Sequence, residues 1–195
     1  LDHMIEKYGE EFTMDNYGTV FSVEHPDWNF NVKYLEQKGC IVDNYIVFLR
    51  RNEIKSEIEN ILTDIYGNCK ISVLPEWFAP PSTTKDTTST ELLSAAFQGE
   101  ANCMVIVCYT TAPIKNRDAD LVDAIQAIQE NGYAFTFCVR YTNGEIFEKI
   151  PDEHYREFPL DMKRYYCKTR SYIWSNSGWD YEWEEGQLSN VEETD

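Results

Sequence analysis

Residues 52–74 read NEIKSEIENILTDIYGNCKISVL. Ile54, Ile58, Ile61 and Ile65 recur at spacings of four, three and four, which keeps all four on one side of a helix. Asn52 stands where an N-cap belongs, Gly67 falls just past the last turn, and Lys70 to Leu74 then read as a strand. A helix with one apolar stripe that hands over directly to a strand must lay that stripe on a sheet, so this stretch predicts an α+β fold.

The flanking sequence supplies the sheet. Upstream, Ile5, Tyr8 and Phe12 fall at the spacing of a short amphipathic helix despite Gly9. Thr19 to Val23, Phe30 to Leu35 and Ile41 to Leu49 read as three strands of an antiparallel meander, with alternation at Phe30, Val32 and Tyr34 and a turn at Lys38-Gly39. Downstream, Ala79 to Thr90 is rich in Pro, Ser and Thr and reads as a linker or long loop. A short helix around Glu91 to Phe97 and a strand from Cys103 to Tyr109, apolar enough to be buried on both faces, come next. Leu121, Ile125 and Ile128 mark a further helix that stops at Gly132. Tyr133, Phe135, Phe137, Val139 and Tyr141 alternate without a break, and Asn143-Gly144 predicts a hairpin returning through Glu145 to Ile150. Pro151 to Phe158 reads as a turn and short helix.

The expected architecture is therefore α+β, with helices packed on largely antiparallel sheets and two α/β halves in one compact protein. Residues 1–78 form the first half, 79–90 the linker or loop, 91–186 the second half with an aromatic C-terminal segment, and 187–195 an acidic tail.

Composition sets limits on function. The chain has 195 residues, 43% hydrophobic and 14% aromatic, which is ample material for a packed core. Its 34 Asp and Glu against 17 Lys and Arg leave a net charge of −17, which repels phosphate backbones and disfavours nucleic acid. No run approaches the roughly 20 apolar residues that cross a bilayer. The six cysteines are dispersed, without a CxxC pair or a histidine at metal-ligand spacing, so a zinc site is not expected. Cys103 and Cys108 differ by an odd number and are expected on opposite faces of one strand, and Cys138 as a buried free thiol. Cys40 and Cys69, each beside a turn residue at a strand start, are the pair expected to form a disulfide if any does.

Leu1 stands in place of an initiator methionine and His3-Met4 matches a common cloning junction, so natural sequence is expected to begin near Ile5. An export signal or membrane anchor is expected ahead of it. The segments EKYGEEF at 6–12, DNYIVFL at 43–49 and IYGN at 65–68 resemble a group of uncharacterised exported or lipoprotein-like proteins of Gram-positive bacteria. In that group a lysine-tyrosine-glycine helix precedes a small sheet and a second helix. The likeness covers about the first 75 residues. It implies a cell-surface setting and carries no known activity.

No GxSxG, HExxH, Walker or dinucleotide-binding glycine pattern occurs, and no cofactor is called for. Asp118, Asp120 and Asp123 form an acidic knot, for which a helix start with its free N–H groups is the simpler account than a cation. His25 and His154 sit in no catalytic motif. The densest aromatic stretch runs from Tyr165 to Trp183, where Trp174, Trp179, Tyr181 and Trp183 stand among acids and suit a binding face, while core packing is the plainer role for such rings. The resulting expectation is a noncatalytic binding or interaction domain displayed outside the cytoplasmic membrane, with a protein or carbohydrate partner and no membrane contact beyond a removed N-terminal anchor. Two alternatives come from other classes. One is an acidic intracellular immunity or inhibitor protein for a basic toxin. The other is a hydrolase with an unrecognised site, built on dispersed carboxylates or on Cys167 with His154.

Overall fold

The computed structural model describes residues 1–95, 98, 102–142, 144–151, 168–173 and 179–184. Helix α1 (Asp2–Tyr8) ends at Gly9, whose φ of 69° is the left-handed cap that brings its N–H to the Ile5 carbonyl. Its buried residues are Met4 and Tyr8, one turn apart, while Ile5 faces outward and Phe12 lies past the cap in strand β1 (Phe12–Met14). The expected stripe of Ile5, Tyr8 and Phe12 is corrected for that reason: the glycine stops the helix before its third member.

Strand β1 pairs antiparallel with β2 (Val20–Ser22), and β3 (Val32–Leu35) pairs antiparallel with β4 (Cys40–Asp43). These are two separate two-stranded sheets in place of one meander. The stretch Ile41 to Leu49, expected as a single strand, divides at Asn44. Its first residues finish β4, and Tyr45 opens helix α2 (Tyr45–Tyr66), upstream of the expected cap at Asn52. Tyr45, Ile46, Val47 and Phe48 are all buried, so the first turn is apolar all round and has no helical period for the eye to find. Farther along α2, burial follows the four-residue row Ile54, Ile58, Leu62 and Tyr66, with Ile61 and Ile65 packed at its margin.

Gly67, at φ 64° and ψ −124°, turns the chain directly into β5 (Cys69–Pro75). Across residues 76–103, β5 pairs antiparallel with β6 (Met104–Thr110), so the two halves of the chain meet in one sheet. The connecting stretch carries α3 (Ser89–Ser94), capped by a reciprocal pair in which Thr88 and Glu91 satisfy each other's backbone N–H. It is also tied down: the Ala79 N–H reaches the Asp43 carbonyl at 2.8 Å, and Arg50 donates to the Thr87 and Lys85 carbonyls.

Every residue of β6 is buried. A turn of 3-10 helix (Ile114–Asn116) and helix α4 (Arg117–Glu130) then carry the chain over to β7 (Thr136–Tyr141), parallel to β6. The Asn143-Gly144 hairpin does not form a return strand, because Gly144–Lys149 is helix α5. Phe147 and Ile150, three residues apart, seal the far face of the sheet, and this tertiary demand overrides the local turn signal. The strand beside β7 is instead β8 (Lys168–Ile173), followed by β9 (Trp179–Glu184), both antiparallel. The large sheet thus has the order β5-β6-β7-β8-β9, antiparallel but for the one crossover pair.

The core lies on both sides of this α+β sheet. Ile106, Cys108, Phe135, Phe137 and Val139 face Ile54, Ile58, Leu62, Leu121 and Ile125 of the helices, and this cluster continues into the N-terminal aromatics. On the opposite face Leu74, Val105, Val107, Tyr109 and Cys138 pack with Phe147 and Ile150. The end of the helix expected at Phe97, the turn and helix expected over 152–158, His154, Cys167, Trp174 and the tail over 187–195 lie outside the described residues.

Candidate functional site

The most polar point in the interior is Asp43, the last residue of β4, whose side chain is fully buried. Oδ1 accepts the Tyr8 hydroxyl at 2.5 Å and the Tyr45 N–H at 3.0 Å, and Oδ2 accepts Lys7 Nζ at 2.8 Å. Lys7 also donates to Thr83. Burial, reinforced by the Asp43 carboxylate, holds the Tyr8 phenol far above its ordinary range. Beside it, the Tyr45 hydroxyl donates to Glu10 and meets Ser22, and burial again raises its pKa. Tyr8, Phe12, Phe30 and Trp28 all set their rings against Tyr45 at 4.8 to 5.5 Å between centroids. His25 stacks flat on Trp28 at 3.8 Å, with the Arg51 guanidinium also over Trp28.

Lys7, Tyr8, Glu10 and Phe12 come from one of the quoted motifs, and Asp43, Asn44 and Tyr45 from another. The fold makes them a single node. Each Asp43 oxygen has its donors, and Asn44 Oδ1 accepts the Asn31 N–H at 2.7 Å. A carboxylate satisfied in this way holds α1, β4 and α2 together, and it has little capacity left for a substrate.

Of the residues singled out by sequence, Trp179, Tyr181 and Trp183 sit on β9, which ends the sheet, and Trp174 lies outside the described residues. The three occupy alternate positions of β9. They are in register with Ile173, Ser171 and Thr169 of β8, and Ser171 and Thr169 in turn with Phe137 and Val139 of β7. In the same register Glu184 pairs with Lys168 and Glu182 with Arg170.

Residues that sequence reading passed over are exposed on hairpin β1–β2: Met14 and Phe21 stand on opposite faces, Val23 follows β2, and at the tip Tyr17 is 94% exposed. The tip is ordered: Asp15 Oδ1 accepts the N–H groups of Tyr17 and Thr19, both at 2.9 Å, and Gly18 takes φ 85°. A large ring held outward by a closed turn is a presentation geometry. The available signal was Asp15-Asn16-Tyr17-Gly18, a turn sequence with an aromatic inside it.

No family model matches the sequence, and no curated protein matches it. Among solved structures, the crystal structure of a DUF5037 family protein from Ruminococcus gnavus aligns over 92% of this chain and 92% of its own, with a TM-score of 0.48 and 16% identity.

The remaining candidates have local partners. Asp118 and Asp120 lie in the first turn of α4, with the Tyr141 side chain near Asp120. Among the described residues no group of His, Cys, Asp and Glu is arranged to hold a metal. Cys40 and Cys69 are both free, which corrects the disulfide considered for them: Cys40 belongs to the β3–β4 hairpin, and Cys69 has Cys108 as its sulfur neighbour. Cys103 and Cys108 join the same core cluster and do not face opposite ways, because Cys103 precedes the first paired residue of β6 and escapes its alternation. Cys138 is buried and free.

Proposed function

We propose that this protein is a noncatalytic binding module that recognises a basic protein partner through hairpin β1–β2. The observation that carries the reading is Tyr17, 94% exposed on a tip closed by Asp15, with Met14, Phe21 and Val23 exposed behind it. Aromatic and methionine side chains are the residues that anchor protein interfaces. Charge supports a basic partner: residues 1–30 contain seven carboxylates and one lysine, and that lysine, Lys7, is consumed by Asp43. An acidic rim around an apolar anchor steers and selects a cationic surface. Trp179, Tyr181 and Trp183 of β9 are ring types on which sugars also stack, which keeps a carbohydrate partner as the second candidate. Display outside the cytoplasmic membrane belongs to the same proposal and rests on the sequence resemblance.

The test is affinity capture from extracts of the source cell and its medium, with the wild-type chain, a Tyr17→Ser/Phe21→Ser variant and a Trp179→Ala/Trp183→Ala variant compared by mass spectrometry. A basic protein held by the wild type and lost at least tenfold by the hairpin variant supports the reading. Capture that the hairpin variant leaves intact overturns it, and loss confined to the β9 variant, with polysaccharide retained, moves the site to β9. The acidic N-terminal region equally serves an inhibitor of a basic toxin inside the cell. An inhibitor would silence the captured protein's activity at a one-to-one ratio.

A further inference from the structure

Cys69 opens β5, and Cys108 lies on the neighbouring β6, with Cys69 in register with Thr110 and Ile71 with Cys108. Positions two apart on a strand share a face, so the two thiols are diagonal neighbours on the face that carries α2. Both belong to the core under α2, Cys108 as a fully buried member and Cys69 packed at its margin. Their surroundings differ. Cys69 is partly exposed at the sheet rim just past the Gly67 turn, whereas Cys108 is fully buried. The neighbouring Cys108 thiol holds Cys69 below the ordinary thiol range, and burial holds Cys108 well above it. A partly exposed cysteine diagonal to a shielded second thiol has the arrangement of an attacking and a resolving cysteine.

We propose that Cys69 and Cys108 form a reversible redox couple whose oxidant is a hydroperoxide. The Cys69 thiolate attacks one peroxide oxygen, the O–O bond breaks, and the departing hydroxide takes a proton to leave as water. Cys69 is then a sulfenic acid. The Cys108 thiol gives up its proton and attacks the Cys69 sulfur, and the sulfenic hydroxyl leaves as a second water as the disulfide forms. Two thiols lose two electrons in total, and one hydrogen peroxide becomes two waters. A small-molecule thiol such as glutathione reverses the step by exchange, ending as its own disulfide. A diagonal pair, at about 7–8 Å, lies just beyond the span a disulfide bridges at rest, so the bond requires a backbone shift. Cys69 is the first paired residue of β5, beside the Gly67 turn, so the strand end can close the gap while the register from Ile71 onward is kept.

The experiment uses the full reduced chain treated with hydrogen peroxide, quenched with an alkylating agent at intervals and read by peptide mass spectrometry, with dimedone as the sulfenic acid trap. Cys40, also partly exposed, is the internal reference. The expected result is a Cys69–Cys108 disulfide, reversed by glutathione, with Cys69 consumed at least tenfold faster than Cys40. In Cys108→Ala the dimedone adduct accumulates on Cys69, and in Cys69→Ser the Cys108 thiol persists. Equal rates at Cys69 and Cys40, or a Cys69 disulfide to any cysteine other than Cys108, overturns the proposal. The rate comparison needs no variant, so a folding defect in Cys108→Ala does not protect it.

Discussion

Tyr8 donates its hydroxyl proton to Asp43 Oδ1 across 2.5 Å, tying the end of α1 to the strand that enters the long helix α2. The same carboxylate holds Lys7, and both side chains of that ion pair are removed from water, at 9% and 0% exposure. Replacing Asp43 by Ala leaves a buried ammonium and a buried phenol without their acceptor. The expected loss is about 3 kcal/mol in urea unfolding, in the range for breaking a buried pair from one side. Tyr8→Phe, which keeps the ring packing against Tyr45, is expected to cost about 1 kcal/mol. If Asp43→Ala costs no more than Tyr8→Phe, the node is not what holds α1 in place.

Tyr66 is the contrasting case. Its hydroxyl is buried with no hydrogen-bond partner among the described residues, and desolvation pushes the phenol far above its usual range. Tyr66→Phe removes a polar atom that the fold desolvates and leaves unmatched, so the variant is expected to equal or exceed wild type by up to about 1 kcal/mol. A loss of more than that in the same denaturation assay would reveal a partner for this hydroxyl.

Gly67 joins α2 to β5 at φ 64° and ψ −124°, a region that only glycine occupies without strain. Nothing lies within 4 Å of an added Cβ, so the cost of Gly67→Ala is backbone strain alone. About 1–2 kcal/mol of destabilisation is expected, measured as a lower urea midpoint with an unchanged slope.

Asp120 governs a pH effect. Desolvation raises its carboxyl above the ordinary value of 3.8, against the nearby Tyr141 side chain, which lowers it. A group whose folded pKa exceeds its unfolded pKa binds protons more tightly when folded, so its contribution is fully present below about pH 3.8 and is lost as pH rises through the folded value. Relative to wild type, Asp120→Asn is therefore expected to be more stable at pH 7 than at pH 3. Unfolding curves at the two pH values check the sign, and an NMR titration of the carboxyl checks the direction of the shift.

Much of this fold was legible from local pattern. The helix with Ile54 and Ile58, the strand that follows it, the fully buried β6 and the helix through Leu121, Ile125 and Ile128 lie where periodicity put them, since each repeats its apolar residues long enough to show a period. Tyr45 to Phe48 were misread as strand because a helical turn buried on every side shows no period at all. The Asn143-Gly144 turn failed because Phe147 and Ile150 were needed against Val105, Val107 and Tyr109 on the second sheet face. The functional surfaces were less legible. Acid-flanked aromatics were visible in the sequence, but whether a ring such as Tyr17 points outward depends on a turn closed by Asp15 and on what packs behind it.

The sequence by itself determined the α+β class, the acidic character and the helices and strands with a clear apolar period, because composition and periodicity are local properties of the chain. Only the tertiary structure decided that β5 and β6 join the two halves in one sheet, that Lys7, Tyr8, Asp43 and Tyr45 meet, and that Cys69 finds Cys108 in preference to Cys40. Each of those contacts links residues far apart in the chain. What selects them is the burial of both sheet faces and the matching of buried polar groups, which are satisfied by the whole molecule at once.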